Sequence, residues 1–386
     1  MKIAKSVSKL GTEAVYNIFA KTKELQKQGK DIIDLSLGQS DFKSPQHVVN
    51  AAIRALKEGH HGYTLPNGII ECREAVSRKI KSLYKADIGP ERIIIMPGGK
   101  PTMHYAISFF GEPGAEIIYP DPGFPIYESM INFTGAKGVP YNMIENKDFS
   151  INPDKILSLI NEKTSLLILN NPHNPTGGFT EKKTIDKLAK GLKNFPNLVI
   201  LSDEVYDRLI FDKKEIPTLL NYPDLYDRLI VLNGWSKTYA MTGWRLGWGV
   251  WPQKLVEHVF KFCVNSHSCV NTPAQYGAIA ALDGPEDHLE NMKNEFLIRR
   301  KLIVEGLRSL KGVECSLPGG SFFVFPNVKK TGMNGEEFTD KCLKKAGVAM
   351  IPGTAFGKFA TDNVRFNFAT SQENILRAIE KIDKIL

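Results

Sequence analysis

Several diagnostic sequence features are missing from this chain of 386 residues. Its five cysteines are odd in number and contain no Cys-x-x-Cys pair, which argues against a disulfide framework or a zinc ribbon and fits a reducing compartment. No apolar run approaches the roughly 18 residues of a membrane-spanning helix. Residues 1–30 also lack the apolar centre of a secretory signal. The sequence therefore predicts a cytoplasmic protein.

Common phosphate and metal motifs are missing as well. There is no Gly-x-x-x-x-Gly-Lys-Ser/Thr loop, no Gly-x-Gly-x-x-Gly after the first strand of a βαβ unit and no Gly-x-Ser-x-Gly elbow. His60 and His61 are adjacent, and adjacent residues do not share a helix face. His104, His173 and His267 have no second histidine or carboxylate at ligand spacing. Structural histidines, and no metal site, are therefore expected.

The charge balance is basic but diffuse. The chain has 50 Lys+Arg against 42 Asp+Glu, a formal charge of +8, with no run of five or six like charges. Such a charge reports on association rather than on fold, and it supports neither a nucleic-acid partner nor a membrane partner. Hydrophobic residues make up 42% of the chain and charged residues 24%, which excludes wholesale disorder.

The middle of the chain alternates short apolar runs with amphipathic segments. This βαβ rhythm predicts an α/β fold in which a mostly parallel sheet has helices on both faces. Helices are expected over 101–110 and over 180–192, the second with Thr180 in an N-cap-like position. The predicted strands are 92–96, 116–119, 165–169, 198–202, 228–232 and 246–250.

The last hundred residues have a different pattern, which predicts a smaller α+β domain. Its expected partner is the N-terminal segment 31–37. The break is placed near Asp283-Gly-Pro285, so that 40–284 form the large domain, and 1–39 with 285–386 form the small one. The elements predicted here are a long helix over 285–310, strands over 313–316, 322–325 and 364–368, and helices over 335–346 and from Ser371.

Three polar clusters follow three of the predicted strands. They occupy residues 170–178, 202–206 and 232–249. Because the carboxyl ends of parallel strands meet at one edge of the sheet, where ligands bind in open α/β folds, we expect the three clusters to form one site.

These clusters carry a family resemblance. The runs Ser-Lys-x-x-x-x-x-Gly-x-Arg-x-Gly from Ser236, Asn-Pro-Thr-Gly from Asn174 and Ser-Asp-Glu-x-Tyr from Ser202 are similar to those of class I aminotransferases. These are pyridoxal-phosphate (PLP) enzymes of the aspartate-aminotransferase fold. Four further similar runs are 37–42, 63–68, 352–357 and 364–369, so the resemblance covers essentially the whole chain. It implies a three-layer PLP-transferase-like large domain and a small domain built from both chain ends.

The resemblance implies roles for the residues that would do the chemistry. Lys237 would hold the aldehyde of PLP as a Schiff base and then carry a proton between the substrate Cα and the cofactor. Asp203 would keep the ring nitrogen protonated. Tyr206 and Asn174 would donate hydrogen bonds to the cofactor's phenolic oxygen. Seen locally, Asp203 fits a helix N-cap equally well, and Asn174 fits an Asn-Pro turn.

The resemblance also implies the phosphate site. Gly99 and Lys100 begin a helix whose amides suit a dianion, and Arg245 offers a planar fork to two of its oxygens. Ser236 would add a hydroxyl. Tyr63 matches a tyrosine that reaches the phosphate of the neighbouring subunit, which implies a homodimer with a shared active site.

The substrate site follows from the same resemblance. Arg365 would clamp the α-carboxylate, Gly38 would bring a backbone amide to it, and Asn174 would also contact the substrate. Phe124 would stack on the cofactor ring, where aspartate-selective relatives often have tryptophan. That difference, with Gln39 and Ser40 in place of Glu-Pro, weakens a transfer of aspartate specificity.

The sequence thus predicts a PLP-dependent aminotransferase that moves an amino group from an L-amino acid to a 2-oxo acid through pyridoxamine phosphate. Aspartate and aromatic amino acids are the candidate donors. A carbon–sulfur β-lyase on the same fold would use the same residues and stays open as the alternative. A PLP-sensing regulator fits the sequence less well, since such a protein usually carries an added DNA-binding domain. A catalytically silent binding module also fits less well, since it would not need Lys237.

Overall fold

The computed structural model describes residues 1–11, 14–144, 148–212 and 215–386. The strands within these ranges are β1 Ile33–Asp34, β2 Ile93–Met96, β3 Glu116–Asp121, β4 Lys137–Asn142, β5 Thr164–Asn170, β6 Val199–Asp203, β7 Leu229–Gly234, β8 Gly247–Val250, β9 Phe323–Val324, β10 Val348–Ala349, β11 Ile351–Pro352 and β12 Val364–Asn367. The α-helices are α1 Ala14–Lys27, α2 Gln46–Lys57, α3 Ile70–Tyr84, α4 Lys100–Phe110, α5 Ile126–Thr134, α6 Pro153–Ser158, α7 Lys182–Leu192, α8 Val256–Ser266, α9 Thr272–Asp283, α10 Asp287–Ser309, α11 Gly335–Lys341 and α12 Gln372–Asp383.

A seven-stranded sheet in the order β2-β8-β7-β6-β5-β3-β4 forms the centre of the molecule. The five strands from β7 to β4 pair in parallel, whereas β8 is antiparallel to both neighbours. Alternate residues of β5 enter two separate apolar cores, with Leu167 on one face and Leu166 on the other. Helices α3, α7 and α9 cover the first face and α4, α5 and α8 the second, which confirms the predicted three-layer α/β fold.

The six strands predicted for this sheet are present within two residues of their expected bounds, but β4 was missed. Its sequence contains Gly138 and Pro140 and it lies at the sheet edge, where proline is tolerated but lowers the strand signal. Helix α7 begins at Lys182, so placing its N-cap at Thr180 was wrong. The Thr180 hydroxyl instead accepts a hydrogen bond from the amide of Ile151.

A third core unites the C-terminal hundred residues with the N-terminal segment. The antiparallel sheet β11-β12-β9 and the parallel pair β1-β10 contribute to it, together with α10, α11 and α12. Residues 313–316 do not form the predicted strand, because only Glu314 pairs, in an isolated bridge to Asn327. The predicted helix 335–346 is α11 followed by a wider π-helical turn, Cys342–Ala346.

Across the described ranges, no helix combines the length and the apolar character that crossing a membrane requires.

Candidate functional site

The carboxyl ends of β5, β6 and β7 lie side by side. The strand register places Asn170 opposite Asp203, and Asp203 opposite Leu232. The three polar clusters that follow these strands therefore meet at one edge of the sheet, as expected.

A cavity of about 520 Å³ opens at this edge. It brings together every residue that the sequence predicted for the site except Tyr63, whose side chain is 93% exposed and lies outside the cavity of this single chain. The predicted residues that line it are Gly38, Gly99, Lys100, Phe124, Asn174, Asp203, Tyr206, Ser236, Lys237, Arg245 and Arg365.

The buried Lys237 amine lines the cavity. It follows β7 by three residues and donates a hydrogen bond of 2.6 Å to the carbonyl of Gly38. Burial, and then the nearby charges of Arg365 and Arg245, lower the pKa of this amine from 10.5 to about 8. An appreciable fraction of Lys237 is therefore neutral near physiological pH, which is the form that attacks an aldehyde.

The carboxylate of Asp203 is buried at the end of β6. Its Oδ2 accepts a hydrogen bond of 2.6 Å from the hydroxyl of Tyr127, and its Oδ1 accepts one of 3.3 Å from the amide of Val205. Burial raises the pKa of Asp203 to about 6, and the bond from Tyr127 opposes that rise. Tyr127 was missed, because a tyrosine inside the apolar helix α5 has no signal that separates it from a core residue.

Two asparagines connect the strand ends to Arg365. Asn170 accepts a hydrogen bond from the amide of Asn174 at 2.9 Å and donates one to the carbonyl of Asp203 at 3.0 Å. Arg365 donates to the side-chain oxygen of Asn174 at 3.0 Å and to the carbonyl of Ser36 at 2.7 Å. Asn170 was expected at the site as part of the polar cluster 170–178, but no role was predicted for it.

Arg365 is buried, with only 3% of its surface exposed. Its guanidinium lies 4.3 Å from the ring centroid of Phe323 and 4.6 Å from that of Phe356. The two rings and the hydrogen bonds hold the cation in a fixed position at one end of the cavity.

Arg245 lies at the other end, where α4 begins. A Cβ atom at Gly98 would lie 2.3 Å from Nη2 of Arg245, and one at Gly247 would lie 2.5 Å from the carbonyl carbon of Gly98. Gly98 is therefore required for the guanidinium to approach the start of the helix, and Gly247 for the first residue of β8 to lie against Gly98. The Arg245 side chain also donates to the carbonyl of Thr242 at 2.7 Å.

Aromatic rings form the walls of the cavity. Tyr206 is buried with its ring 5.8 Å from that of Phe323, and burial raises the pKa of its phenol. The ammonium of Lys100 lies 5.5 Å from the ring centroids of both Phe124 and Tyr16. Tyr16 and its neighbour Phe19 come from α1, a helix that was not predicted, so the sequence provided no reason to place them here.

The histidines lie away from this cavity. His173 precedes Asn174 in the sequence but does not line the cavity. It is buried with its Nδ1 atom 2.7 Å from the Thr176 hydroxyl, and burial lowers the pKa of its imidazole to about 3. The described part of the chain contains no group of three histidine, cysteine or acidic side chains arranged to hold a metal.

The arrangement fits the parts of PLP. A helix start and a guanidinium suit a phosphate dianion, a buried carboxylate suits a protonated ring nitrogen, and an amine of lowered pKa suits an aldehyde. A model of the aminotransferase class I and II family matches residues 30–382. The chain belongs to this family. The family uses PLP, and this chain is a transaminase; the β-lyase alternative is not favoured.

Individual relatives agree with this assignment. A probable aspartate aminotransferase of Methanocaldococcus jannaschii is 39% identical over 92% of this chain and 93% of its own. An aromatic-amino-acid aminotransferase of Thermococcus litoralis is 34% identical over 92% of both chains. The structure of Thermus thermophilus aspartate aminotransferase with maleate superimposes with a TM-score of 0.94 at 30% identity, covering both chains completely.

Proposed function

We propose that this transaminase binds PLP in the cavity at the sheet edge, with Lys237 as its covalent anchor. One observation supports this most strongly. The amine of lowered pKa and the carboxylate of raised pKa, Lys237 and Asp203, line one cavity that has Arg245 at one end and Arg365 at the other. Strongly perturbed groups in one cleft are typical of catalytic sites.

When bound, PLP supplies an aldehyde and an electron-withdrawing ring that stabilises negative charge at the substrate Cα. Asp203 is placed to hold a proton at the ring nitrogen, and Tyr127 orients that carboxylate. The Lys237 amine is placed to remove and return the proton at Cα, since its lowered pKa lets it act in both directions. Tyr206 and Asn174 line the same wall and would donate to the phenolic oxygen.

The two arginines divide the anionic groups between them. Arg245, Ser236 and the first amides of α4, at Gly99 and Lys100, form the end suited to the cofactor phosphate. Arg365 and the backbone of Gly38 form the end suited to the substrate α-carboxylate, with Phe124 left to stack on the ring. This division orients cofactor and substrate before any bond changes.

An acidic amino acid is the proposed donor, and a 2-oxo acid is the acceptor. Lys100 is a third cation in the cavity and lies beside Phe124 and Tyr16, where it can meet a second carboxylate. The aspartate aminotransferases among the relatives support this donor. An aromatic donor is the second candidate, because Tyr16, Phe19, Phe124 and Phe323 all line the same cavity.

A homodimer is the proposed assembly, with a site shared between its subunits. Tyr63 is 93% exposed, and Leu65 and Ile70 nearby are exposed apolar side chains, as expected of a surface that a second copy covers. We further propose a large domain over 40–284, a small domain over 1–39 and 285–386, and a cytoplasmic location. Light scattering should give twice the mass of the chain, and Tyr63→Phe should weaken PLP binding without changing that mass. A monomeric mass would contradict the shared site.

Half-reactions test the proposed function. Protein loaded with PLP is mixed with aspartate, and then with phenylalanine, in the absence of any acceptor. We expect stoichiometric conversion of PLP to pyridoxamine phosphate and release of one 2-oxo acid per site, fastest with aspartate. With cystathionine added in place of these amino acids, pyruvate and ammonia without that conversion would indicate a carbon–sulfur lyase, and no reaction with aspartate or phenylalanine would contradict the proposal.

A further inference from the structure

A second cavity, of about 330 Å³, lies away from the sheet edge. It is open to solvent and is lined by the second half of α1, the segment that leads into β1, the π-helical turn Cys342–Ala346 and α12. Its volume falls within the range of small-molecule sites. None of its lining residues belongs to the transaminase site.

The walls of this cavity are strongly basic. Five lysines and one acid line it: Lys21, Lys30, Lys344, Lys345, Lys381 and Asp31. They leave a formal excess of four positive charges in one cavity, half of the +8 of the whole chain. The diffuse charge of the sequence is thus concentrated here by the fold.

Some of these charges are already paired. Asp31 contacts Lys381 at 2.7 Å and Arg377 at 2.8 Å, and Lys344 contacts Asp340 at 2.8 Å. Lys21, Lys30 and Lys345 make no ion pair with any residue in the described ranges. Three lysines from three different chain segments therefore line one cavity without an ion-pair partner in the described ranges, which favours a multivalent anion over a single carboxylate.

Helix α1 connects the two cavities. Val15, Tyr16 and Phe19 in its first half line the transaminase cavity, whereas Lys21 and Leu25 in its second half line the basic one. An anion that joins Lys21 to the π-helical turn would restrict the helix whose other half forms a wall of the catalytic cavity.

We propose that this basic cavity binds a small polyanion of the polyphosphate class and that its occupancy orders helix α1. The proposal stands independently of which amino acid the enzyme uses.

Calorimetry with inorganic tripolyphosphate tests the binding. PLP-loaded enzyme saturated with succinate is used, so that the catalytic anion sites are filled, at about 50 mM salt because exposed charges are screened at higher salt. The cavity variant carries Lys21→Gln, Lys30→Gln and Lys345→Gln. The control carries Lys190→Gln, Lys254→Gln and Lys311→Gln, which remove the same charge from exposed positions outside the cavity.

We expect one site per chain, with a dissociation constant that rises roughly tenfold or more in the cavity variant and about twofold or less in the control. Hydrogen exchange should slow in residues 14–27 of the wild type on binding, and stay unchanged in the cavity variant. Equal losses in the two variants, binding of about 10 mM or weaker, or equally tight binding of a DNA duplex would overturn the proposal.

Discussion

The two ends of the catalytic cavity are built differently. Arg365 lies on β12, 3% exposed, between two aromatic rings and two hydrogen-bond acceptors from other segments of the chain. Arg245 is exposed in the single chain, and within the described ranges its side chain donates one hydrogen bond, to the carbonyl of Thr242 three residues before it. A buried, pre-positioned cation suits the proposed small substrate, which must be placed accurately, whereas the exposed one suits the proposed cofactor and its proposed cover by a second subunit.

The largest expected effect on activity comes from substituting Lys237. Lys237→Ala removes both the proposed anchor and the proposed proton carrier, so kcat for transamination should fall by at least about 10⁴-fold. Lys100→Ala is the matched control, because it removes an ammonium from the same cavity: it should leave the covalent attachment of PLP intact and raise KM for an acidic donor, without a comparable fall in kcat. Comparable activity in Lys237→Ala and the wild type would contradict the assignment.

The next largest effect is expected at Asp203. Asp203→Asn cannot hold a proton at the ring nitrogen as a carboxylate does, so kcat should fall by about 10²- to 10³-fold while PLP still binds. Steady-state kinetics measures the loss. Recovery with a cofactor analogue whose ring nitrogen carries a permanent charge would show that the loss arises at that atom; a kcat within about twofold of wild type would exclude the role.

Substitutions of the two arginines should affect different constants, KM for the amino acid at Arg365 and the affinity for PLP at Arg245. Arg365→Lys loses the fork geometry and should raise KM for the amino acid by about 10- to 100-fold with PLP affinity unchanged. Arg245→Lys should weaken PLP binding and leave KM nearly unchanged at saturating cofactor. Fluorescence titration measures the dissociation constant of PLP, and initial rates measure KM for the amino acid. The same changes of both constants in both variants would contradict the different roles of Arg245 and Arg365.

The rate of PLP capture by the cofactor-free protein should depend on pH through Lys237. Its pKa of about 8 means that the neutral, reactive amine increases up to about tenfold per pH unit below 8 and levels off above it. Arg365→Met removes a positive neighbour, so the midpoint should move to higher pH. Stopped-flow absorbance measures the rate, and a midpoint that stays in place would show that Arg365 does not act on the amine.

The smallest expected effect is at Tyr127. Tyr127→Phe removes the hydrogen bond to Asp203 and should lower the free energy of unfolding by about 1–2 kcal/mol at pH 7.5. The loss should shrink below pH 6, because Asp203 is then protonated and accepts more weakly. Tyr141→Phe, which loses a bond to the carbonyl of Ile168, is the control and should show no such pH dependence. A loss of unfolding free energy in Tyr127→Phe that is independent of pH would show that the bond from Tyr127 does not depend on the charge of Asp203.

The sequence predicted the sheet and its ligand edge because buried parallel strands are continuous apolar runs followed by polar residues. Edge strand β4 and the N-terminal helix α1 escaped prediction, since the first contains Gly138 and Pro140 and the second has few buried residues to mark a face.

The sequence indicated the residues that line the cavity but not their contacts. Asp203 was predicted from its position at a strand end and from the family pattern, and Arg365 from the family pattern. The bond from Tyr127 depends on how α5 packs on the sheet, and the walls from Tyr16 and Phe19 depend on where α1 docks. Tertiary packing decides both, and no local pattern in the sequence reports on it.

Chemical trapping shows directly whether Lys237 anchors PLP in this cavity. PLP-loaded protein is reduced with borohydride, which makes the bond between cofactor and amine permanent, and its peptides are sequenced by mass spectrometry. We expect one modified lysine per chain, at Lys237. Modification at Lys100 or another lysine, or no modification in fully loaded protein, would contradict this role of Lys237.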